Sequence, residues 1–464
     1  MRFILVVILS AGLAAAAAEV RVGVIGSGCI GIEHIRNIHL CADAHVSAVA
    51  DSHPPSRDGA LACLRELGVD AGVTLMSDYR ELLASPDVDA IVICTPNDHH
   101  IEVLRDAFRT GKHCLVEKPL CTEVAHLAEA EALAEQALAE ARAAQRAEPC
   151  LWCGMEYRFM PTISRMIRDA DAGVIGELRM LTIREHRFPF LRKVGDWNRH
   201  TSRTGGTLVE KCCHHFDLMR RILRAEPVRI IASGGQDVNH LSETYGGRRS
   251  DILDNAYVII DFDNGARAML DLCMCDSAQP RAGAPPPCVA LPACDSPQPR
   301  PLVPACASRF AEASKHQEEV CLVGSHGKLE AFAPSHGVRT IDESEPNYRR
   351  GLRNPANVAS WDFVDPPPPE LCGELLETHE GVDPALLEAG NHCGATYEEV
   401  RAFTEAVLSG QQPMVTLSDG TKAVLMGLAA HRSIAKDGQP ILWSEMLEEF
   451  DAASSAAKQR LAAA

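Results

Sequence analysis

No long run of lysine and arginine occurs in this chain, and 63 acidic against 45 basic residues leave a formal charge of -18. That balance argues against nucleic acid or an anionic membrane surface as the main partner and favours a small molecule. A spanning segment is missing as well. The apolar stretch Phe3 to Leu9 is short against the roughly 20 residues a membrane helix needs, so no membrane anchor is expected. Nor is there a second Cys-x-x-Cys or a spaced histidine pair to complete a zinc template with Cys150 and Cys153. Cys212-Cys213 and Cys273-x-Cys275 are equally incomplete. No metal is expected, and most of the eighteen cysteines read as buried thiols.

What is present is enough apolar sequence, 46% of 464 residues, for the cores of two domains. Met1-Arg2, the apolar run and Ala16-Ala17-Ala18 have the three parts of a secretory leader, whose removal would leave Glu19 first. With a leader the chain is destined for secretion or the endomembrane lumen and gains some disulfides; without one it is cytoplasmic.

From Val20 to Glu117 short apolar runs alternate with helical stretches, the pattern of βαβ units on a parallel sheet. Strands are expected at Arg21 to Ile25, Val46 to Ala50, Ala90 to Cys94 and His113 to Glu117. A helix follows from Glu123 to Ala147 and a strand from Leu151 to Met155. Residues 19–155 therefore read as a Rossmann domain. Residues 156–464 read as an α+β domain on a large, mainly antiparallel open sheet, with strand-like segments at Glu177 to Arg187, Val228 to Ala232 and Ala256 to Leu272. Helical spacing returns at Tyr397 to Leu408 and Ser418 to Lys436. Residues 275–309, crowded with Pro, Ala and Cys, read as a disordered insertion at a connection.

The chemistry begins with Gly26-Ser27-Gly28-Cys29-Ile30-Gly31, which follows a strand and opens a helix. Gly26 makes the turn, Gly28 admits a pyrophosphate and Gly31 allows close packing, with the phosphates at the helix N-terminus. Asp51, at the end of the second strand, suits the adenosine ribose diol and favours NAD, while Arg57 nearby keeps NADP open. Thr95-Pro96-Asn97 with His100, and Glu117-Lys118-Pro119, end strands at the edge where open α/β sheets bind ligands. A last cluster runs from Gly205 to Asp217. On one continuous helix Glu210, His214 and Asp217 would share a face. That face fits a proton-handling set, a metal site or a surface charge cluster.

In this order the clusters resemble the Gfo/Idh/MocA oxidoreductase family, and the resemblance extends to Tyr157-Arg158-Phe159, Gly324 to Phe332, His392, Gly394 and Tyr397. It implies a substrate held between the two domains over the nicotinamide. Lys118 then stands beside the reacting hydroxyl, His214 is the acid/base, Asn97 lines the nicotinamide end and Glu210 replaces a commoner aspartate. Asp217 matches a further family carboxylate. A cis Lys118-Pro119 bond and a homo-oligomer associating through the C-terminal sheet are also implied. Arg187, Trp197 and Asn198 are the candidates for substrate contact beside Asp217, with a purely structural loop as the other reading.

The expected reaction is NAD(P)-dependent oxidation of a secondary alcohol on a sugar, cyclitol or related polyol. Two alternatives stand beside it: a redox-assisted glycosidase or epimerase with tightly held NAD, and a non-catalytic NAD- or ligand-binding protein.

Overall fold

The computed structural model describes residues 19–275, 316–333, 346–352, 375–390 and 392–463. The leader read at 1–18 and, apart from Cys275, the insertion read at 275–309 lie outside the described residues. No helix among them is long and apolar enough to cross a membrane. The fourteen cysteines they include are all free thiols.

In the N-terminal half six strands alternate with helices: β1 Val20–Ile25, β2 Ala44–Ala50, β3 Thr74–Met76, β4 Ala90–Ile93, β5 His113–Glu117 and β6 Leu151–Gly154. The helices are α1 Cys29–Leu40, α2 Pro54–Glu66, α3 Tyr79–Ala84, α4 His100–Ala107 and α5 Val124–Ala143. Their sheet order is β3-β2-β1-β4-β5-β6, with every pairing parallel. All four residues of β4 are buried, as expected of a strand covered on both faces. The order reverses between β1 and β4, and that switch point is where such sheets open a ligand crevice. Helix α5 ends short of the expected Ala147, because Gln145 turns out of helical geometry at φ 53°.

After α6 Pro161–Asp171 come β7 Leu178–His186, α7 Thr201–Thr204, α8 Thr207–Glu210, α9 Cys213–Leu223 and β8 Pro227–Gly235. The two-residue pair β9 Thr244–Tyr245 and β10 Arg248–Arg249 precedes β11 Asn255–Phe262, β12 Arg267–Cys273, β13 Glu318–Gly324 and β14 Gly327–Ala333. The chain continues through β15 Tyr348–Leu352, β16 Leu375–Thr378, α10 Pro384–Ala389, α11 Ala395–Ser409, α12 Leu417–Ala435, β17 Ile441–Leu442 and α13 Trp443–Ala463. Nine strands form one open sheet in the order β16-β15-β14-β13-β7-β12-β11-β8-β17. Neighbours are antiparallel except β7 and β12, which run parallel.

Two sequence expectations are corrected here. Ala256 to Leu272 is not one strand but the hairpin β11-β12, closed at Asp263-Asn264-Gly265, where Gly265 adopts φ 83°. The helix expected to carry Glu210, His214 and Asp217 is broken between α8 and α9. The three side chains therefore do not share one helical face.

The halves are tied together by α11 and α12 as well as by the chain crossing from β6. Trp152, fully buried in β6, donates its indole N–H to Glu399 of α11 at 3.0 Å. The capping box of Thr416 and Asp419 starts α12, and Arg158, just after β6, reaches Asp419 at 3.5 Å.

Candidate active site

Strand β1 ends where Gly26 turns the chain at φ 89°; a Cβ there would lie 2.7 Å from the carbonyl oxygen of Cys94. A Cβ on Gly31 would come within 2.0 Å of the Gly26 carbonyl oxygen, so α1 approaches β1 only without a side chain at that position. Gly28 instead faces open space, with no atom within 4 Å of an added Cβ. No side chain caps α1, and its first turn is left for an anion. The three glycines thus fit the turn, the close approach and the phosphate cradle that a dinucleotide requires.

Asp51 follows β2 and braces this loop. One carboxylate oxygen accepts from the Ser27 N–H at 2.7 Å and the other from the His53 N–H at 2.8 Å. Arg57 donates to the backbone carbonyl of Asp51.

A cleft of about 720 Å³ opens along the sheet edge. Gly28, Cys29, Ile30 and Asp51 line one end, and Thr95, Pro96, Asn97 and Lys118 the other, where Lys193, Trp197 and Glu210 of the C-terminal half close it. The peptide between Lys118 and Pro119 is cis. Lys118 Nζ donates to the backbone carbonyl of Glu210 at 3.3 Å. The Glu210 carboxylate accepts from Asn97 Nδ2 and, at 3.2 Å, from Lys193 Nζ. Lys193 also sits 4.5 Å over the Trp197 ring.

These charges set one another's protonation. Burial pushes the Glu210 carboxyl up, but the ammonium groups of Lys193 and Lys118 outweigh it and hold the group below its ordinary range. Burial likewise pulls Lys118 down, and Glu210 first, with Cys213, Glu156 and Glu117, more than restores it. The result is an ionised carboxylate between two ammonium groups, with a neutral amide on the cofactor side.

His214 lies beneath this layer. It is 1% exposed and stacks on Tyr157, with ring centroids 4.1 Å apart and planes 6° from parallel. Its Nε2 is 3.4 Å from Glu156, not from Glu210. Burial, with Lys118 and Lys211 adding like charge, drives its pKa well below the ordinary histidine value and keeps it neutral.

Other expected site residues are placed differently. His100 does not face the cofactor cleft: it is buried, and its ring nitrogens meet the carbonyls of Pro119 and Thr95 at 2.9 and 3.0 Å, bracing the two loops that do. Glu117 borders the cleft, but its carboxylate is held by His34 at 2.6 Å and by the Lys118 N–H. Asp217 is turned away from the cleft into a buried ion pair with Arg158. Arg187 folds back over the Phe188 ring and toward Glu185 at 3.5 Å, and Asn198 is buried with its amide on the Leu191 carbonyl. Of the four substrate candidates, Trp197 alone lines the cleft.

Several functional-looking residues gave no sequence signal. Lys193 belongs to no motif, and Glu156 merely precedes Tyr157-Arg158. Glu185, His215 and Glu318 cluster closely enough to hold a cation. The ammonium of Lys211 already serves that cluster, 3.0 Å from Glu185 and 3.6 Å from Glu318, and it donates to Tyr157 Oη. Its flanking residues gave no hint of this because Glu185 and Glu318 come from β7 and β13.

Residues 20–144 match the family profile described as "Oxidoreductase family, NAD-binding Rossmann fold", and residues 169–285 match "Oxidoreductase family, C-terminal alpha/beta domain". The chain belongs to the Gfo/Idh/MocA oxidoreductase family. Its cofactor is NAD. This oxidoreductase is 29% identical to the myo-inositol 2-dehydrogenase of Thermotoga maritima over 417 residues, 89% of this chain and 96% of the relative. It is 30% identical to the inositol 2-dehydrogenase of Rhizobium meliloti over 254 residues, 54% of this chain and 68% of the relative. Among solved structures, levoglucosan dehydrogenase in complex with NADH and levoglucosan has the same fold, with a TM-score of 0.64 at 17% identity, covering 91% of this chain and 99% of that one.

Proposed function

We propose that this NAD-dependent oxidoreductase oxidises a secondary alcohol of a cyclitol, sugar or related polyol. The observation that carries this reading is the convergence of Lys118, Asn97, Lys193 and Glu210 in the cleft that the glycine loop opens. Relatives named inositol dehydrogenases support the substrate class.

When bound, NAD supplies the hydride acceptor. Lys118 donates a hydrogen bond to the alcohol oxygen and stabilises negative charge as it develops there, a role typically worth about 2.7 to 4 kcal/mol. Glu210 keeps that ammonium charged, and Asn97 and Lys193 hold Glu210 in place. His214, neutral in its buried setting, takes the hydroxyl proton. Trp197 offers the hydroxyl-bearing ring an apolar face.

The domain division near residue 155 and a homo-oligomer belong to the same proposal. Met180, Tyr257 and Ile259 are exposed apolar side chains on β7 and β11 of the open sheet. The Ala256-to-Ile260 segment alternates buried and exposed along one strand, so the outward face offers an apolar surface for a second copy.

A panel of inositols, aldoses and sugar derivatives, followed by NADH absorbance at saturating NAD, tests the reaction. NADH formation with at least one cyclitol or sugar is expected. Failure of the whole panel in a protein that binds NAD would refute the reading.

A further inference from the structure

A histidine that takes a proton needs its other ring nitrogen fixed and its new charge balanced, and both are usually done by one carboxylate. Sequence spacing set Glu210 and Asp217 on one helical face with His214, as a proton-handling set, a metal site or a charge cluster. The fold gives Glu210 to Lys193 and Asn97 instead and sets a different acid on His214.

We propose that Glu156 is the positioning residue for His214, holding the hydrogen on Nε2 so that Nδ1 accepts the proton of the substrate alcohol, with His392 and Glu33 anchoring Glu156 behind it. This rests on the reading of His214 as the base. The geometry is a chain of three steps. His214 Nε2 is 3.4 Å from Glu156 Oε1, the same oxygen is 3.7 Å from His392 Nε2, and His392 Nδ1 is 2.7 Å from Glu33 Oε1. Thr396 Oγ1 donates to that Glu33 oxygen at 2.9 Å. The 3.4 Å step has room to shorten when substrate is bound, as catalytic contacts commonly do.

Two further observations fit. Nδ1 of His214 is buried without a hydrogen-bond partner among the described residues, an unmade bond that is costly in a finished structure. The Tyr157 stack fixes the ring plane, leaving the carboxylate to choose the tautomer.

The charges around the pair are mixed. Lys118, Lys211, His215 and His392 face His214 and disfavour a cationic ring. Burial, with Glu117, pushes Glu156 above its ordinary range, and His392 and Lys118 offset that only in part. Burial lowers His392, but Glu33 and Glu156 outweigh that and raise it to about 9, so a cation stands behind Glu156 at neutral pH. In the proposed step the alcohol O–H bond breaks and its proton goes to Nδ1. The carbinol C–H bond breaks as the C–O bond becomes a carbonyl, bound NAD would accept that hydride, and the resulting imidazolium keeps its Nε2 hydrogen toward Glu156. The proton leaves His214 for water after product departs.

The test uses the full-length protein with NAD bound, labelled with 15N-histidine, with the His214 signals identified by their loss in His214→Asn. The wild type should show hydrogen on Nε2 and a bare Nδ1, and Glu156→Leu should give a mixture of tautomers. Hydrogen on Nδ1 in the wild type, or an unchanged tautomer in Glu156→Leu, overturns the proposal. Glu156→Gln, which keeps shape and removes charge, covers the case in which the leucine variant does not fold. Its kcat should fall by about 100-fold or more while KM for NAD and the melting temperature stay near wild type. A kcat within threefold of wild type would also overturn the proposal. If the wild type oxidises no polyol, the substrate reading fails, while the tautomer measurement still decides the role of Glu156.

Discussion

Lys118 Nζ lies 3.3 Å from the backbone carbonyl oxygen of Glu210, a contact between positions 92 residues apart. It joins the end of β5 to the end of α8, so the Lys118 ammonium is aimed by a backbone atom of the other half. Its charge comes from the same residue's carboxylate, which takes part in raising its pKa.

Lys118→Met keeps the length of the side chain and removes the charge. Turnover is expected to fall by about 100- to 1000-fold, with NAD affinity within threefold of wild type. Steady-state kinetics and a fluorescence titration with NADH measure the two quantities. A comparable loss in both would mean that Lys118 serves cofactor binding rather than the chemical step.

Asp51→Ala removes the carboxylate that follows β2 at the cleft and with it the brace on the Ser27 N–H. Charged hydrogen bonds of this kind contribute about 1.5 to 3 kcal/mol each. NAD affinity should therefore fall at least tenfold in calorimetric titration, with kcat at saturating NAD affected far less.

Gly31→Ala places a methyl group 2.0 Å from the Gly26 carbonyl oxygen, a backbone atom that can yield only if α1 shifts. Overpacking of this kind typically costs about 1 to 3 kcal/mol. A lowered melting temperature together with weakened NAD binding is expected, whereas Gly28→Ala should leave the melting temperature unchanged because its Cβ meets open space.

Lys211→Met leaves Glu185 and Glu318 without their shared cation. Burial alone would push Glu185 up, and Lys211 is first among the charges that hold it well below the ordinary carboxylate range. Breaking such a buried pair costs about 3 to 5 kcal/mol, read as a drop in thermal midpoint. Adding Glu185→Gln should recover part of that loss by removing one stranded charge. An unchanged midpoint in the single variant would show that the cluster contributes no stability.

His392 carries a pH signature. Its pKa of about 9 in the folded protein exceeds the ordinary 6.5, so its protonation favours the folded state. That contribution is fully present below pH 6.5 and is lost as the pH rises through 9. Denaturant unfolding at pH 6 and pH 9.5 should therefore show a larger decline in the wild type than in His392→Gln. Equal declines would remove His392 from the account.

The amino-acid sequence by itself determined the Rossmann half and its cofactor end. Gly26, Gly28 and Gly31 are read from local backbone needs, β1 to β6 from apolar runs, and Asp51 from its position after a strand. All of these depend on neighbours close in the chain. Lys118 was legible for the same reason, because its motif ends a strand at the ligand edge. Tertiary structure decided which acid serves which base. The spacing of Glu210, His214 and Asp217 presumed an unbroken helix, but the helix stops at Glu210 and resumes at Cys213. That break separates the three side chains into three environments: Glu210 in the cleft with Lys193, His214 against Glu156, and Asp217 on Arg158. Their partners come from distant segments whose approach is set by packing of the two halves, and periodicity within one segment contains no information about that packing.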